Sequence, residues 1–192
     1  MAPMSHMIEI MSQELIEQLL AKEKRHRPLA RGGYLFHRGD TVRFIFILDE
    51  GEIELVRPQP DGTSVVLHRA AGRMVFAEAS LYSDIYHCDA IAVSACRVFA
   101  LSKPVLLKQL HDDPAFSHLW AAHLAREVQA ARFRSEILTR KTVSERLDAW
   151  LGLPGNGLPP RGEWKTVAAH IGVSPEALYR ELSRRRSGLK TR

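Results

Sequence analysis

One fifteen-residue stretch, FAEASLYSDIYHCDA, gathers side chains able to hold a soft metal: Glu78, His87, Cys88 and Asp89. Thiolate and imidazole together suit copper(I) or zinc, and a carboxylate can complete the set. If the segment is a strand, His87 and Cys88 face opposite sides. A bulge, or a ligand such as His37 or His68 from another strand, must then complete the site. Three readings stay open: a metal or thiol-redox centre on Glu78, His87 and Cys88, a pocket for a different small ligand, or a small buried Cys88 beside a surface His87.

A different chemistry, neutralisation of phosphate, belongs to the stretch SRRRSGLKTR. Residues 140–192 carry 11 Lys and Arg against 5 Asp and Glu, a balance of +6, while residues 1–139 carry 16 against 17, or −1. The whole net charge of +5 therefore sits at the C-terminal end, as binding to a polyanion requires. Catalytic signatures are missing: no G-x-S-x-G, no P-loop and no H-E-x-x-H occurs, and His37 and His68 stand alone rather than in a cupin-like cluster. The chain is not expected to be an enzyme.

The basic segment needs an element to carry it, and Thr166–Leu182, TVAAHIGVSPEALYREL, supplies one. Val167, Ala168 and Ile171 give a first short helix its apolar face, and Gly172 stands where the chain leaves that helix with positive φ. Ser174 can cap a second helix and Pro175 can open it. Leu178 and Leu182 form its buried stripe, leaving Glu176, Tyr179, Arg180 and Ser183 on other faces. This is a helix-turn-helix pattern, in which the second helix enters a DNA major groove.

Upstream, residues 12–24 read as an amphipathic helix with Leu15, Ile16, Leu19 and Leu20 on one face behind a Ser12 cap. From His26 to about Lys103 short β-rich runs alternate with turns such as Asp49-Glu50-Gly51 and Gln59-Pro60-Asp61-Gly62, predicting a small β-sandwich or barrel. A short helix at 104–110 ends at His111-Asp112-Asp113-Pro114, and a long one follows over 114–140. Along it Ala121, Leu124, Val128, Ala131, Ser135 and Leu138 recur at heptad spacing. That seam fits a partner helix, with packing on the chain's own β domain as the alternative. A helix about 40 Å long at roughly 1.5 Å per residue overhangs so small a domain, which favours the partner. Residues 142–151 form a further amphipathic helix, with Val143, Leu147, Trp150 and Leu151 inward and Ser144 as its cap. Cys96 belongs to the core.

At 192 residues, 45% of them hydrophobic and 26% charged, the chain can bury one sizeable core and one small one. No run of eighteen apolar residues and no signal-peptide pattern occurs, and two isolated cysteines suit a reducing compartment. A cytoplasmic location without membrane contact is expected.

The order of short helix, β-roll, long helix and helix-turn-helix resembles the CRP/FNR family of bacterial transcription regulators across essentially the whole chain. Gly39-Asp40 followed by IFILDEGEIEL (45–55) is similar to that family's strand-turn-strand, and Phe76-Ala77-Glu78 with Leu81 resembles the start of its phosphate-binding cassette. The resemblance implies an α+β chain: a β-roll (double-stranded β-helix) sensor domain over 12–110, a dimerisation helix over 114–140, and a helix-turn-helix DNA-binding domain over 141–192. It implies a homodimer on pseudo-palindromic double-stranded DNA, with RNA polymerase as a further partner for an activator. Glu176 and Arg180 occupy the family's base-reading positions, with Tyr179 beside them: arginine can bond guanine in bidentate fashion and glutamate can accept from cytosine. Ser174, Lys165, Arg184, Arg185, Arg186 and Lys190 are the expected phosphate contacts.

The effector pocket would involve Glu78, Ser80, Cys88 and Asp89. Where cyclic-nucleotide-binding members place an Arg-Ser pair, this chain has Cys88 and Asp89, so a cyclic phosphate would meet an acid instead of an arginine. Cyclic AMP is therefore not the expected effector, and with no cysteine before Cys88 an iron–sulfur cluster is not expected either. Residues 187–192 are too few for the β-hairpin wing that usually follows the recognition helix. The alternative is an adaptor whose degenerate helix-turn-helix no longer binds DNA.

Overall fold

The computed structural model describes residues 13–21, 26–153, 157–158 and 160–189, with the backbone alone at 163, 188 and 189. Ser12 and Lys190, expected as a cap and a phosphate contact, lie outside the described residues. The described chain divides into two compact units, 1–125 and 126–192.

The first unit holds helix α1 (13–21), eight strands, helix α2 (Lys103–Asp112) and the first half of helix α3 (Pro114–Thr139). The strands are β1 (His26–Leu29), β2 (Tyr34–Phe36), β3 (Phe44–Glu50), β4 (Glu52–Pro58), β5 (Ser64–Ala71), β6 (Met74–Phe76), β7 (Asp89–Ala92) and β8 (Cys96–Ser102). They form two four-stranded antiparallel sheets, ordered β1-β8-β3-β6 and β2-β7-β4-β5, which is the β-roll expected from the sequence. Along β3, Ile45, Phe46, Ile47 and Leu48 are all buried, so both faces of this central strand are covered. The same core cluster takes in Leu15 and Leu19 of α1, Leu106 of α2 and Phe116, Leu119 and Trp120 of α3.

The turn between β3 and β4 depends on Gly51 twice. Its φ of 97° favours glycine, and a Cβ there would stand 2.4 Å from the Ala95 carbonyl oxygen and 2.6 Å from Cys96 Sγ. Arg97 holds the turn from β8, donating to Asp49 Oδ2 at 2.6 Å and to Glu50 Oε1 at 2.5 Å. The break before the long helix also has a local cause. Asp113 Oδ1 accepts from the Phe116 amide at 3.0 Å and so caps α3, while Pro114 occupies its first turn.

The second unit holds the rest of α3, α4 (Val143–Leu151), α5 (Trp164–His170) and α6 (Pro175–Leu189). Ile137, Leu147, Trp164, Val167, Ala168, Ile171, Leu178 and Leu182 make its core. Thr142, not Ser144, caps α4: its side chain accepts from the Glu145 amide while the Glu145 carboxylate accepts from the Thr142 amide. None of the described helices is long and apolar enough to cross a membrane.

Candidate nucleic-acid interface and sensor pocket

The helix-turn-helix is α5 and α6 joined at Gly172, whose φ is 64°. Ser174 caps α6 by accepting from the Ala177 amide at 3.2 Å, and Pro175 opens the helix. Leu178 and Leu182 are buried on its inner face. On the opposite face Glu176, Arg180, Ser183 and Ser187 are exposed, at helical spacings of 4, 3 and 4. Among the described residues neither Glu176 nor Arg180 forms an ion pair of 4 Å or less. The Glu176 carboxyl is held below its ordinary range by its own backbone N–H, by Ser174 and by nearby Arg180 and Lys165. A charged acceptor and a charged donor therefore stand ready on one outward stripe. The sequence reading had placed Ser183 away from the core without a role, and the helical stripe puts it beside Arg180.

Two expected DNA contacts are otherwise engaged. The Tyr179 ring packs 5.2 Å from that of Trp164, and its hydroxyl donates to the Arg161 carbonyl oxygen at 3.3 Å. Tyr179 is thus a packing residue turned from the reading stripe. Arg185 donates to Glu181 Oε1 at 2.7 Å, to Asp148 Oδ1 at 2.6 Å, and to Ser144 Oγ and O at 2.9 and 3.0 Å. It straps α6 to α4 and leaves little free to meet phosphate.

Arg184 makes a two-armed contact with the same Glu181, at 2.9 and 2.8 Å, yet stays largely exposed. These guanidinium donors, Arg184 foremost, hold the Glu181 carboxyl down at about 2. Arg186 lies over the Trp164 ring at 5.2 Å, a cation–π contact that keeps its head at the surface. Lys165 at the start of α5 is exposed.

Arg146 carries weight that the sequence reading missed. From α4 it donates to the Ile171 and Gly172 carbonyls at 3.2 and 2.9 Å, and to the Leu138 and Arg140 carbonyls at 3.3 and 3.0 Å. One guanidinium thereby satisfies orphan carbonyls where α3 ends and where the hairpin turns. No strand follows α6 among the described residues, and α6 continues through the arginine run to Leu189.

In the sensor unit the stretch after β6 turns at Ala77, whose φ is 63°, into a 3-10 turn over Glu78–Ser80. Ser80 is buried, and its Oγ lies 3.4 Å from His87 Nδ1. Cys88 is buried, and burial pushes its thiol pKa up, which keeps it protonated and unreactive. Asp89 Oδ1 accepts from the Arg38 amide at 2.7 Å and so closes the loop before β3, instead of facing into a ligand site as a free carboxylate. Among the described residues no three His, Cys, Asp or Glu side chains gather as metal ligands. The copper or zinc set sought in Glu78, His87 and Cys88 is not assembled: Cys88 is inside the core while the His87 ring turns to Ser80.

Along α3 the heptad positions divide. Leu124 packs against the β-roll core, as the alternative reading had it, whereas Val128, Ala131, Ser135 and Leu138 are exposed, Val128 and Leu138 at 48% and 49%.

Residues 26–113 match the family of cyclic nucleotide-binding domains. The chain is 26% identical over 162 residues to the cyclic AMP receptor protein of Thermus thermophilus, covering 82% of this chain and 75% of that protein. Among solved structures it is similar to FixK2 of Bradyrhizobium japonicum, with TM-score 0.64, 18% identity and 85% of each chain covered. It is also similar to the c-di-GMP responsive global regulator CLP of Xanthomonas campestris, with TM-score 0.62, 18% identity and 92% of each chain covered. At that identity the two structures speak for the fold. The relatives are regulators and not enzymes.

Proposed function

We propose that the chain is a transcription regulator of the CRP/FNR type that binds a pseudo-palindromic DNA site as a homodimer, reading bases with Glu176 and Arg180; the cyclic nucleotide-binding domain match over 26–113 and the likeness to a cyclic AMP receptor protein support this reading. The observation that carries this reading is the outward stripe of α6, where a carboxylate and a guanidinium four residues apart stand exposed over a buried Leu178–Leu182 face. Arg180 has the fork that guanine O6 and N7 accept, and Glu176 has the acceptor that a cytosine amino group needs. Ser183 adds a short hydroxyl to the same stripe, within reach of base or phosphate. Lys165, Arg184, Arg186 and the Ser174 end of α6 supply the phosphate contacts, with Arg185 acting as a strut. The exposed apolar positions from Val128 to Leu138 support pairing of two α3 helices. A dimer would then set two recognition helices on successive major grooves.

Cyclic AMP is not the effector in this reading. Cys88 and Asp89 replace the residues that grip a cyclic phosphate, and the Asp89 carboxylate is already bonded to the Arg38 amide. Calorimetric titration with cyclic AMP should show no binding, and saturable binding would remove this part of the proposal.

Selection of bound sequences from random double-stranded DNA tests the function itself. The expected outcome is an inverted repeat whose half-site centres lie about one helical turn, roughly 10 base pairs, apart. An adaptor function is the second reading, favoured by the engagement of Tyr179 and Arg185 within the fold. Failure to enrich any sequence would decide for it.

A further inference from the structure

We propose that the cleft between β1, β2 and the start of β3, floored by Phe36, Phe46 and Tyr86 and flanked by Arg27 and Arg43, binds a flat aromatic carboxylate. The cleft holds about 390 Å³, near the lower end of the usual range for small-molecule sites, roughly 300–1,000 Å³.

Its floor is a layer of nearly parallel rings. Phe36 lies 3.8 Å from Tyr86 at an interplanar angle of 13°, and 5.6 Å from Phe46 at 19°. The single polar group of that layer is already engaged, since the Tyr86 hydroxyl donates to the Phe44 carbonyl at 2.6 Å. What the floor offers an occupant is therefore apolar, with Phe36, Phe46 and Tyr86 each 5% exposed or less. Phe44 adds an aromatic ring at the rim that is 41% exposed.

The walls add positive charge. Arg27 pairs across the ladder with Val98, and directly opposed residues share a face of the sheet. Val98 is only 1% exposed and faces the core, so Arg27 stands on the core-facing side of an edge strand, where an apolar residue is the ordinary occupant. Among the described residues no carboxylate pairs with Arg27 or Arg43, whereas Arg69, Arg73 and Arg97 of the same unit are each paired. Asp40 is the one acid lining the cleft, and its Oδ2 is held by the His37 amide at 2.8 Å. Two unpaired guanidinium groups lining the same cleft as the aromatic layer match a ligand with a planar ring system and a carboxylate at its edge. Tyr86 comes from the 76–90 stretch, but Glu78, Ser80, Cys88 and Asp89 do not line this cleft.

The competing account makes Arg27 an inward charge that guards an edge strand against pairing with other chains. Under that account the cleft has no ligand. Calorimetric titration of the full chain with 2-naphthoate separates the two. The controls are 2-naphthalenemethanol, which keeps the rings without the charge, and cyclohexanecarboxylate, which keeps the charge without the flat rings.

The expected result is saturable binding of 2-naphthoate, one per chain. Replacing either arginine, as Arg27→Gln or Arg43→Gln, or using either control should weaken it by about tenfold or more. Both arginines are exposed, and unchanged thermal midpoints of the free variants would show that the fold is retained. Absence of saturable binding, or wild-type affinity in both Arg27→Gln and Arg43→Gln, overturns the proposal. No DNA enters the assay, so its failure leaves the regulator reading standing and its success does not depend on that reading.

Discussion

Glu181 is the residue on which α6 is anchored. It is buried among guanidinium groups from Arg184 and Arg185, and Arg185 continues to Asp148 and Ser144 on α4. Glu181→Gln removes the charged acceptor that Arg184 and Arg185 share, so it should destabilise the second unit at neutral pH by about 1.5–3 kcal/mol, the usual worth of hydrogen bonds to a charged group. The pH dependence follows from its depressed pKa. Folding lowers it from the ordinary 4.5 to about 2, so its stabilisation is complete above 4.5 and disappears as pH falls toward 2. Denaturant unfolding followed by tryptophan fluorescence should show the wild-type advantage over Glu181→Gln shrinking across that window. In the sensor unit Ala77 holds a left-handed φ of 63° that a Cβ disfavours. Ala77→Gly should therefore raise stability by about 0.5–1 kcal/mol, read as an increase in the denaturation midpoint.

Between elements, Arg146 connects the end of α3 to the hairpin turn through four carbonyl oxygens. Arg146→Ala should cost about 2 kcal/mol, and Arg146→Lys should recover only part, because an ammonium cannot bridge acceptors laid out for a planar fork. Urea unfolding of the three proteins checks that order. Much of the element plan was legible in the sequence because its signals are local. Gly172, Ser174 and Pro175 mark one turn, the alternation in 44–48 marks one strand, and Asp113-Pro114 marks one helix start. Apart from Arg140 and Glu181, the partners of Arg146 and Arg185 lie 8 to 41 residues away, and no periodicity announces them. Charge counting thus assigned Arg185 to phosphate, when an acid on the same helix and two groups on α4 hold it. Tyr179 misled for a related reason: helical phase places it beside Arg180, but Trp164, fifteen residues upstream, draws its ring inward. For α4, both Thr142 and Ser144 suit a cap, and the Glu145 three residues after Thr142 is what selects it.

At the scale of the whole molecule, the proposal needs two copies. Val128→Glu places a charge on an exposed seam residue without touching the core, so it should leave each chain folded and convert the dimer to monomer in sedimentation at micromolar concentration. Loss of the dimer should also weaken DNA binding, since half-sites would be engaged singly. The most direct test of base reading by α6 compares wild type with Arg180→Ala on a selected site and on scrambled DNA of the same length, by fluorescence anisotropy at fixed salt. The account predicts that Arg180→Ala loses about 1–3 kcal/mol on the selected site, relaxes preference at one base pair of each half-site, and binds scrambled DNA almost as wild type does. Equal losses on both DNAs would contradict it.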